Sequence, residues 1–391
     1  MRFLCSTNDL LQALQLVSRA VGTQQALPIL NNILLEVGGK RCTVSATDLE
    51  FSIITSFEVK VENEGAVTIP AKAILNFAQY NQDPEVLLET SEGTQLKCAS
   101  KQIKATIAGE AASEYPSIAH TEKQSSFTLQ TEPLTRALHL TTFASARTSL
   151  RPVLSGVSFY TSKDTLTLVA TDSYRLSEYK TPLQKNEVDV ACIIPTKILE
   201  ELRTTLGGRR GQKNEREEKE QTEDKKQKKE RGLQTVEVVM SKQQIEFHAG
   251  STRLLSRLID GKFTDYEQII PQNAVTRVKF SVTELTIAVR RMHYFAKEMN
   301  NNLTFHFSKG QTRITTPPTQ IGRDEAILTT EVNGQENKIA LSSSYLLDLL
   351  SHLDGDEVEM QVTDSMHPAV FSLPREKHFL HLIMPLRMQE E

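Results

Sequence analysis

The 391-residue chain reads as an α+β protein built from three copies of one domain, each an antiparallel sheet with two helices on one face. Three observations predict this. Ala46-Thr47-Asp48-Leu49 returns 124 positions later as Ala170-Thr171-Asp172-Ser173, each time after alternating strand-like residues. Ile69-Pro70-Ala71-Lys72 returns as Ile194-Pro195-Thr196-Lys197, and Arg2-Phe3 as Ser126-Phe127, at nearly the same offset. A third copy starts near Lys279-Phe280, 153 positions after Phe127, and setting aside the 26 residues 207–232 leaves 127. The expected domains are therefore 1–125, 126–275 and 276–391.

Each copy opens on a strand followed by an amphipathic helix whose apolar residues recur at three and four. These are Leu10, Leu11, Leu14, Val17 and Ala20, then Leu134, Ala137, Leu138, Thr141 and Ala144, then Leu285, Ile287, Ala288, Met292 and Phe295. Alternating strands come next, such as 33–37 and 166–170. Pro70 and Pro195 are expected just inside a second helix, where the missing N–H has no intrahelical acceptor. The third copy answers with Ser344-Tyr-Leu-Leu-Asp-Leu-Leu350, and strands at 86–90, 236–240 and 358–362 close the copies. Copies joined edge to edge would form one long curved sheet with every helix on one side.

Composition bounds the functional classes. With 39% hydrophobic residues, 24% charged and no Trp, the chain can bury several modest cores. No apolar run nears the roughly 18 residues of a membrane span, and Asn8 and Asp9 interrupt any signal-peptide run, so a cytoplasmic protein is expected. Cys5, Cys42, Cys98 and Cys192 lie singly in strand-like contexts, which suits buried thiols over zinc or disulfides. A net charge of −4 excludes a uniformly basic binder but permits one basic face. The predicted helices supply that face with Arg19, Lys72, Arg136, Arg147, Lys197, Arg203, Arg290, Arg291 and Lys297, against few acids: Glu200, Glu201, Glu298 and Asp348. Such a surface attracts duplex phosphates without reading bases. No aromatic residues are expected among these cations, so stacking on single strands is not expected.

Chemistry is sparse. Asp48 and Asp172 could hold a divalent ion as paired carboxylates, but Thr-Asp at a strand end is better explained by side chains bonding the backbone of the next turn. There is no His-Glu-x-x-His, Walker lysine or Gly-x-Gly-x-x-Gly. His293, His306, His352, His367, His378 and His381 lack a ligand spacing, and neither Ser155-Gly156 nor Ser342-Ser343-Ser344 is a nucleophile elbow. No catalytic residue, metal site or cofactor is expected. Residues 207–232, with ten basic and seven acidic side chains, read as a disordered solvated insertion. The apolar end from Leu380 to Met388 continues past a core strand into Met-Pro-Leu-Arg-Met, a composition suited to accepting varied peptides.

Four segments in order resemble the bacterial DNA polymerase III beta subunit family, the sliding clamps: Ala26-Leu-Pro-Ile-Leu30 with Ala46-Thr-Asp-Leu-Glu50; Arg151-Pro-Val-Leu-Ser-Gly-Val157 with Ala170-Thr-Asp-Ser-Tyr-Arg-Leu176; Leu258-Ile-Asp-Gly-Lys-Phe-Thr-Asp-Tyr266 with Ile270-Pro271; and Met384-Pro-Leu-Arg387. The resemblance implies three DNA-clamp domains per subunit and two subunits closed head to tail into a ring around double-stranded DNA, held without sequence preference. It implies no enzymatic activity of its own. Partners would be the replicative polymerase, the clamp loader and repair polymerases, docking linear peptides in a pocket between the second and third domains. By position its wall comprises Arg151, Leu154, Thr171, Ser173, Tyr174, Arg175, Leu176, Thr264, Ile269, Tyr345, Met366, Pro368, Leu382, Met384, Pro385 and Arg387. Gln24 and Lys262 join the helix cations as DNA-contact positions.

The chain departs from the family pattern in three places. Thr264 replaces a proline at the pocket edge, Gln24 and Gln25 stand where an arginine is common, and Gln389-Glu390-Glu391 add an acidic extension beside the pocket. Two other classes compete with the clamp: a three-domain enzyme using Asp48 and Asp172, and a peptide-binding scaffold without DNA. The basic bias of the helices favours the clamp over the scaffold.

Overall fold

A computed structural model describes the chain except residues 23–26, 91–93, 119, 149, 163, 184–188, 212–233 and 389–391, with backbone alone at 208–211. Gln24, Gln25, the acidic extension and most of the charged insertion lie outside the described residues. The chain divides into two compact units, Met1–Glu132 with Lys197–Leu258, and Pro133–Thr196 with Ile259–Glu391. The division runs through the second copy. Among the described residues there are six α-helices: α1 (Thr7–Val17), α2 (Ala71–Tyr80), α3 (Thr131–Thr141), α4 (Thr196–Gly211), α5 (Val282–Ala296) and α6 (Ser343–Leu350).

In the first unit, Leu10, Ala13, Leu14 and Val17 of α1 are buried, and the helix packs on α2 and on strands Arg41–Thr47 and Phe51–Glu58. The Ser6 hydroxyl starts α1 by accepting from Asp9 N, satisfying one of the orphan donors of the first turn. Two antiparallel sheets form here. One has five strands, all from the first copy. The other has eight, and strand Thr252–Arg257 of the second copy pairs with Phe51–Glu58 of the first, placing Leu254 opposite Ile53. The sheet therefore continues across the copy boundary.

The second unit repeats the arrangement. A nine-stranded sheet joins strand Arg175–Pro182 of the second copy to Glu376–Ile383 of the third, with Leu176 opposite Leu382. A separate four-stranded sheet ends on strands Glu325–Thr329 and Asn337–Ser342. Helix α5 is capped by Ser281, which accepts from Glu284 N. Together with α6 it buries Leu285, Val289, Met292, Leu346 and Leu349 in a core with Phe280, Phe305 and Phe371.

Three expectations need correction. Each copy contributes to two sheets rather than holding one, because its edge strands find partners in the neighbouring copy. Pro70 and Pro195 end strands, and α2 and α4 begin one residue later; a fixed φ near −65° suits an extended residue as well as a helical one. Helix α4 runs through residue 211, so the first five positions assigned to a disordered insertion are helical. The thiols of Cys5, Cys42 and Cys98 are buried and that of Cys192 is half-buried, all free. Burial pushes Cys42, Cys98 and Cys192 up to about 12 and raises Cys5 as well.

The repeated Thr-Asp phrase builds the same turn twice. Asp48 Oδ1 accepts from Glu50 N and Phe51 N at 3.1 and 2.7 Å, and Asp172 Oδ1 from Tyr174 N and Arg175 N at 2.9 and 3.0 Å. Thr47 Oγ1 donates to Phe51 O and accepts from Leu49 N; Thr171 Oγ1 does likewise with Arg175 O and Ser173 N. Both turns place a non-glycine residue at positive φ, Leu49 at 76° and Ser173 at 80°. That conformation costs of order 1–2 kcal/mol, and four side-chain bonds per turn hold it. Asp48→Ala removes two of the four and should lower stability by about 1–2 kcal/mol, read as a shift of the urea unfolding midpoint.

Candidate functional site

The predicted pocket residues all fall in the second unit, along the seam between strands Arg175–Pro182 and Glu376–Ile383. On one face of the seam, Leu176 and Leu382 pack with Val169, Tyr266 and Val370, bordered by Tyr160, Phe263, Ile270 and Leu380. The loop carrying Thr264 and Ile269 is pinned there by Tyr266. Its hydroxyl bonds the Glu178 carboxylate and lies 3.0 Å from the Tyr160 hydroxyl, and Lys180 Nζ is 2.9 Å from Glu178. Burial and then the Glu178 bond push the Tyr266 phenol far above its ordinary value, so it stays protonated and donating. This network, rather than a proline at 264, stiffens that edge.

The segment after Ile383 is anchored rather than free. Met384 N donates to Tyr174 O at 2.8 Å, Leu386 N to Ala340 O at 2.8 Å, and Asn302 Nδ2 to Arg387 O at 3.1 Å. Met384 and Pro385 thus stand beside the Asp172 turn, half-buried, and Arg387 is exposed. Arg151 and Leu154 come from the turn before strand Gly156–Ser162, where Leu154 N donates to Arg151 O. Met366 and Pro368 come from the loop entering strand Ala369–Leu373, whose Val370 packs on Leu382. Met366 is 80%, Tyr174 62% and Ile269 43% exposed, whereas Leu154, Leu176 and Leu382 are closed off. Met366, Tyr174 and Ile269 are the solvent-facing members of the set.

Arg175 lies beneath the wall. Its guanidinium bonds Asp172 Oδ2 at 3.1 Å, Asp348 Oδ2 at 2.8 Å and Phe143 O at 3.0 Å, and its carbon sits 4.8 Å from the Tyr345 ring centroid. It ties the Asp172 turn to α6, and Tyr345 of α6 stacks with Tyr174 at 6.5 Å. Behind it, His381 is fully buried with Nδ1 2.6 Å from Ser177 Oγ, and burial, then Arg175, holds it well below its ordinary value. A second Thr-Asp-Ser, 363–365, stands outside the repeat because it occupies a different place in the fold. Asp364 Oδ1 accepts from Met366 N and His367 N at 2.8 and 3.0 Å, the bond pattern of the other two aspartates. It presents Met366 as the Asp172 turn presents Tyr174. The phrase itself was the available signal.

The carboxylates once weighed as metal ligands are already engaged, Asp48 by two N–H groups and by Lys197 Nζ at 2.7 Å, and Asp172 by two N–H groups and Arg175. The helix cations divide into two groups. Arg19 pairs with Glu201, Arg136 with Asp354 and Glu376, Lys197 with Asp48, and Arg291 with Asp324. Lys72, Arg147, Lys262, Arg290 and Lys297 are exposed and Arg203 is half-buried, and none of them is ion-paired among the described residues. Arg147 lies beyond the helical turn Thr142–Ala144 rather than on a helix. The expectation of no aromatic among the cations also fails: Tyr294, on α5 between Arg291 and Lys297, is 67% exposed.

Arg175→Met leaves Asp172 and the Phe143 carbonyl without their cation. The variant should be about 2–3 kcal/mol less stable in urea unfolding, the half-exposed Asp348 discounting the usual figure for a broken buried pair. The His367 side-chain bond and the two turn N–H groups hold the Asp364 carboxyl below its ordinary 3.8. A depressed acid contributes its stability above the ordinary value and loses it as pH falls through the lowered one. A carboxyl NMR titration should therefore give Asp364 a lower midpoint in the wild type than in His367→Ala.

Comparison with known proteins agrees with this architecture along the chain. Family models described as the N-terminal, central and C-terminal domains of the DNA polymerase III beta subunit match residues 1–119, 128–213 and 267–387. The beta sliding clamp of Haemophilus influenzae is 28% identical over 389 residues, covering 99% of this chain and all of the relative, and that of Escherichia coli K12 is 26% identical with the same coverage. The DNA polymerase sliding clamp of Pseudomonas aeruginosa, solved with a ligand, superposes with a TM-score of 0.88 at 25% identity, covering 99% of this chain and 100% of that one. The Bacillus subtilis clamp shares the fold with a TM-score of 0.88 at 24% identity, with full coverage of both chains. With three consecutive domain models matched in order and full-length relatives on both sides, the chain belongs to the DNA polymerase III beta subunit family of sliding clamps.

Proposed function

We propose that two copies of this chain close head to tail around duplex DNA and tether a replicative polymerase to it, with domains at about 1–125, 126–275 and 276–391. The processivity role belongs to the family; the ring, the contact residues and the docking partners are our reading. One observation carries it. Strand Lys104–Ile107 is the edge of the first unit's five-stranded sheet and Glu325–Thr329 the edge of the second unit's four-stranded sheet, and each is paired on one side only. Exposed edges template pairing with another chain. Lys101 and Lys104 flank one edge and Asp324 and Glu325 the other, and Ile327 on the latter strand adds exposed apolar surface. A heterologous contact that closes gives a ring and one that does not gives a filament.

DNA inside such a ring is retained by enclosure, so contacts can be weak and independent of sequence. Lys72, Arg147, Arg203, Lys262, Arg290 and Lys297 are the cations available for phosphates. Arg19, Arg136, Lys197 and Arg291 can serve only by sharing charge with their carboxylates. The clamp loader, the replicative polymerase and repair polymerases would dock peptides along the seam formed by Leu176, Leu382, Tyr174, Tyr345, Met366 and Met384, in the cytoplasm. The pairing of four helix cations favours, as second reading, a peptide scaffold that does not encircle DNA.

Sedimentation at micromolar concentration should give twice 43.9 kDa; a strictly monomeric profile would count against the ring. Protein loaded on nicked circular DNA should be retained and should be lost once the circle is cut. Equal retention on both forms argues for direct binding, and no retention on circles argues for the scaffold.

A further inference from the structure

On the outer face of the second unit's four-stranded sheet, three basic side chains form a row. Lys338 lies directly opposite His306, and His306 directly opposite Arg313, in adjacent antiparallel pairs. Their neighbours Phe305 and Phe307 point the other way, into the core. Arg313 and Lys338 stand on either side of His306, and the two have no carboxylate partner among the described residues. The row lines an open groove of about 730 Å3 that also includes Glu336, Asp364 and Met388. Asp364 is engaged by its own turn and by His367, and Glu336 is the other carboxylate among the described lining residues.

The groove begins where the peptide pocket ends. Asp364 and Met366 belong to one turn, with Asp364 in the groove wall and Met366 in the pocket wall. The segment Met384–Met388 likewise runs from the pocket to the groove, held to strand Asn337–Ser342 by the Leu386–Ala340 bond. Exposed Arg387 stands at the junction.

We propose that this groove takes the acidic flank of a peptide docked in the adjacent pocket, so that the apolar anchor gives affinity and Arg313 and Lys338 select partners whose neighbouring residues are Asp or Glu. This rests on the peptide-docking reading and adds a charge preference to it. Rim charges contribute modestly and are screened by salt, so the preference should be about 3- to 10-fold at low ionic strength.

The test uses the full chain and two fluorescent synthetic peptides sharing a leucine–phenylalanine core, one flanked by Asp-Glu pairs and the other by Ser-Gly pairs. The acidic peptide should bind the wild type about 3- to 10-fold tighter in low salt. That advantage should vanish in the Arg313→Ala/Lys338→Ala double variant and at 0.5 M salt, while the neutral peptide binds both proteins alike. Equal affinities in the wild type, or an advantage that survives the double variant, overturn the proposal and leave the pocket standing. Failure of both peptides to bind removes the pocket and the proposal together. An advantage seen only after deletion of 389–391 assigns the groove to the chain's own acidic residues, and a single-stranded oligonucleotide that displaces only the acidic peptide assigns it to phosphate. Either outcome overturns the proposal.

Discussion

Backbone pairing between strands of successive copies is the constraint on which the rest depends. An edge strand must either be covered or find a partner, and here Thr252–Arg257 finds Phe51–Glu58 while Arg175–Pro182 finds Glu376–Ile383. Each seam aligns turns and side chains from two copies to within a residue, because a one-residue slip would turn every buried side chain outward. The apolar cluster of Val169, Leu176, Tyr266, Val370 and Leu382 is a by-product of that register. Leu176 and Leu382 face each other because the ladder sets them opposite, and the Asp172 turn lies at the ladder's end.

The seam is also stitched by side chains, differently in the two units. In the first, Arg19–Glu201 and Lys197–Asp48 join residues of different copies, and Lys197 also lies over the Phe51 ring. In the second, Arg175 takes two carboxylates and a carbonyl, and Arg136 pairs with Asp354 and Glu376 of the third copy. The same fold therefore ends in two surfaces. Lysine and leucine flank the first Thr-Asp turn, and aromatic residues flank the second. The residues after the phrase differ, while the phrase itself does the same backbone work in both turns.

Much of this was legible in the sequence. Helices recurring at three and four, the repeated landmarks and the charged interruption were all visible locally; the buried faces of α1 and α3 follow the apolar recurrence, whereas on α5 Ile287 is 64% exposed and Val289 is buried instead. Strand pairing across copies was not legible, since alternation shows that a residue sits on a strand and not which strand lies beside it. The residues of the expected peptide site were reached through family resemblance, and the packing among them is visible only in the folded chain. Nothing local marks Arg175 as a buried hub or Tyr266 as a pin, because both depend on partners 88 to 173 positions away. The helix cations show the opposite failure. Composition counted charges, but four of them are matched by acids that only folding brings near.

The seam also sets how the molecule can be taken apart. A fragment cut at residue 276, where sequence repetition draws a boundary, keeps strand Glu376–Ile383 and discards its partner. That fragment would hold half of the apolar wall, lack the arginine under it, and expose an unpaired hydrophobic edge prone to self-association. The apolar cluster at the seam is thus a property of adjacency rather than of any single copy.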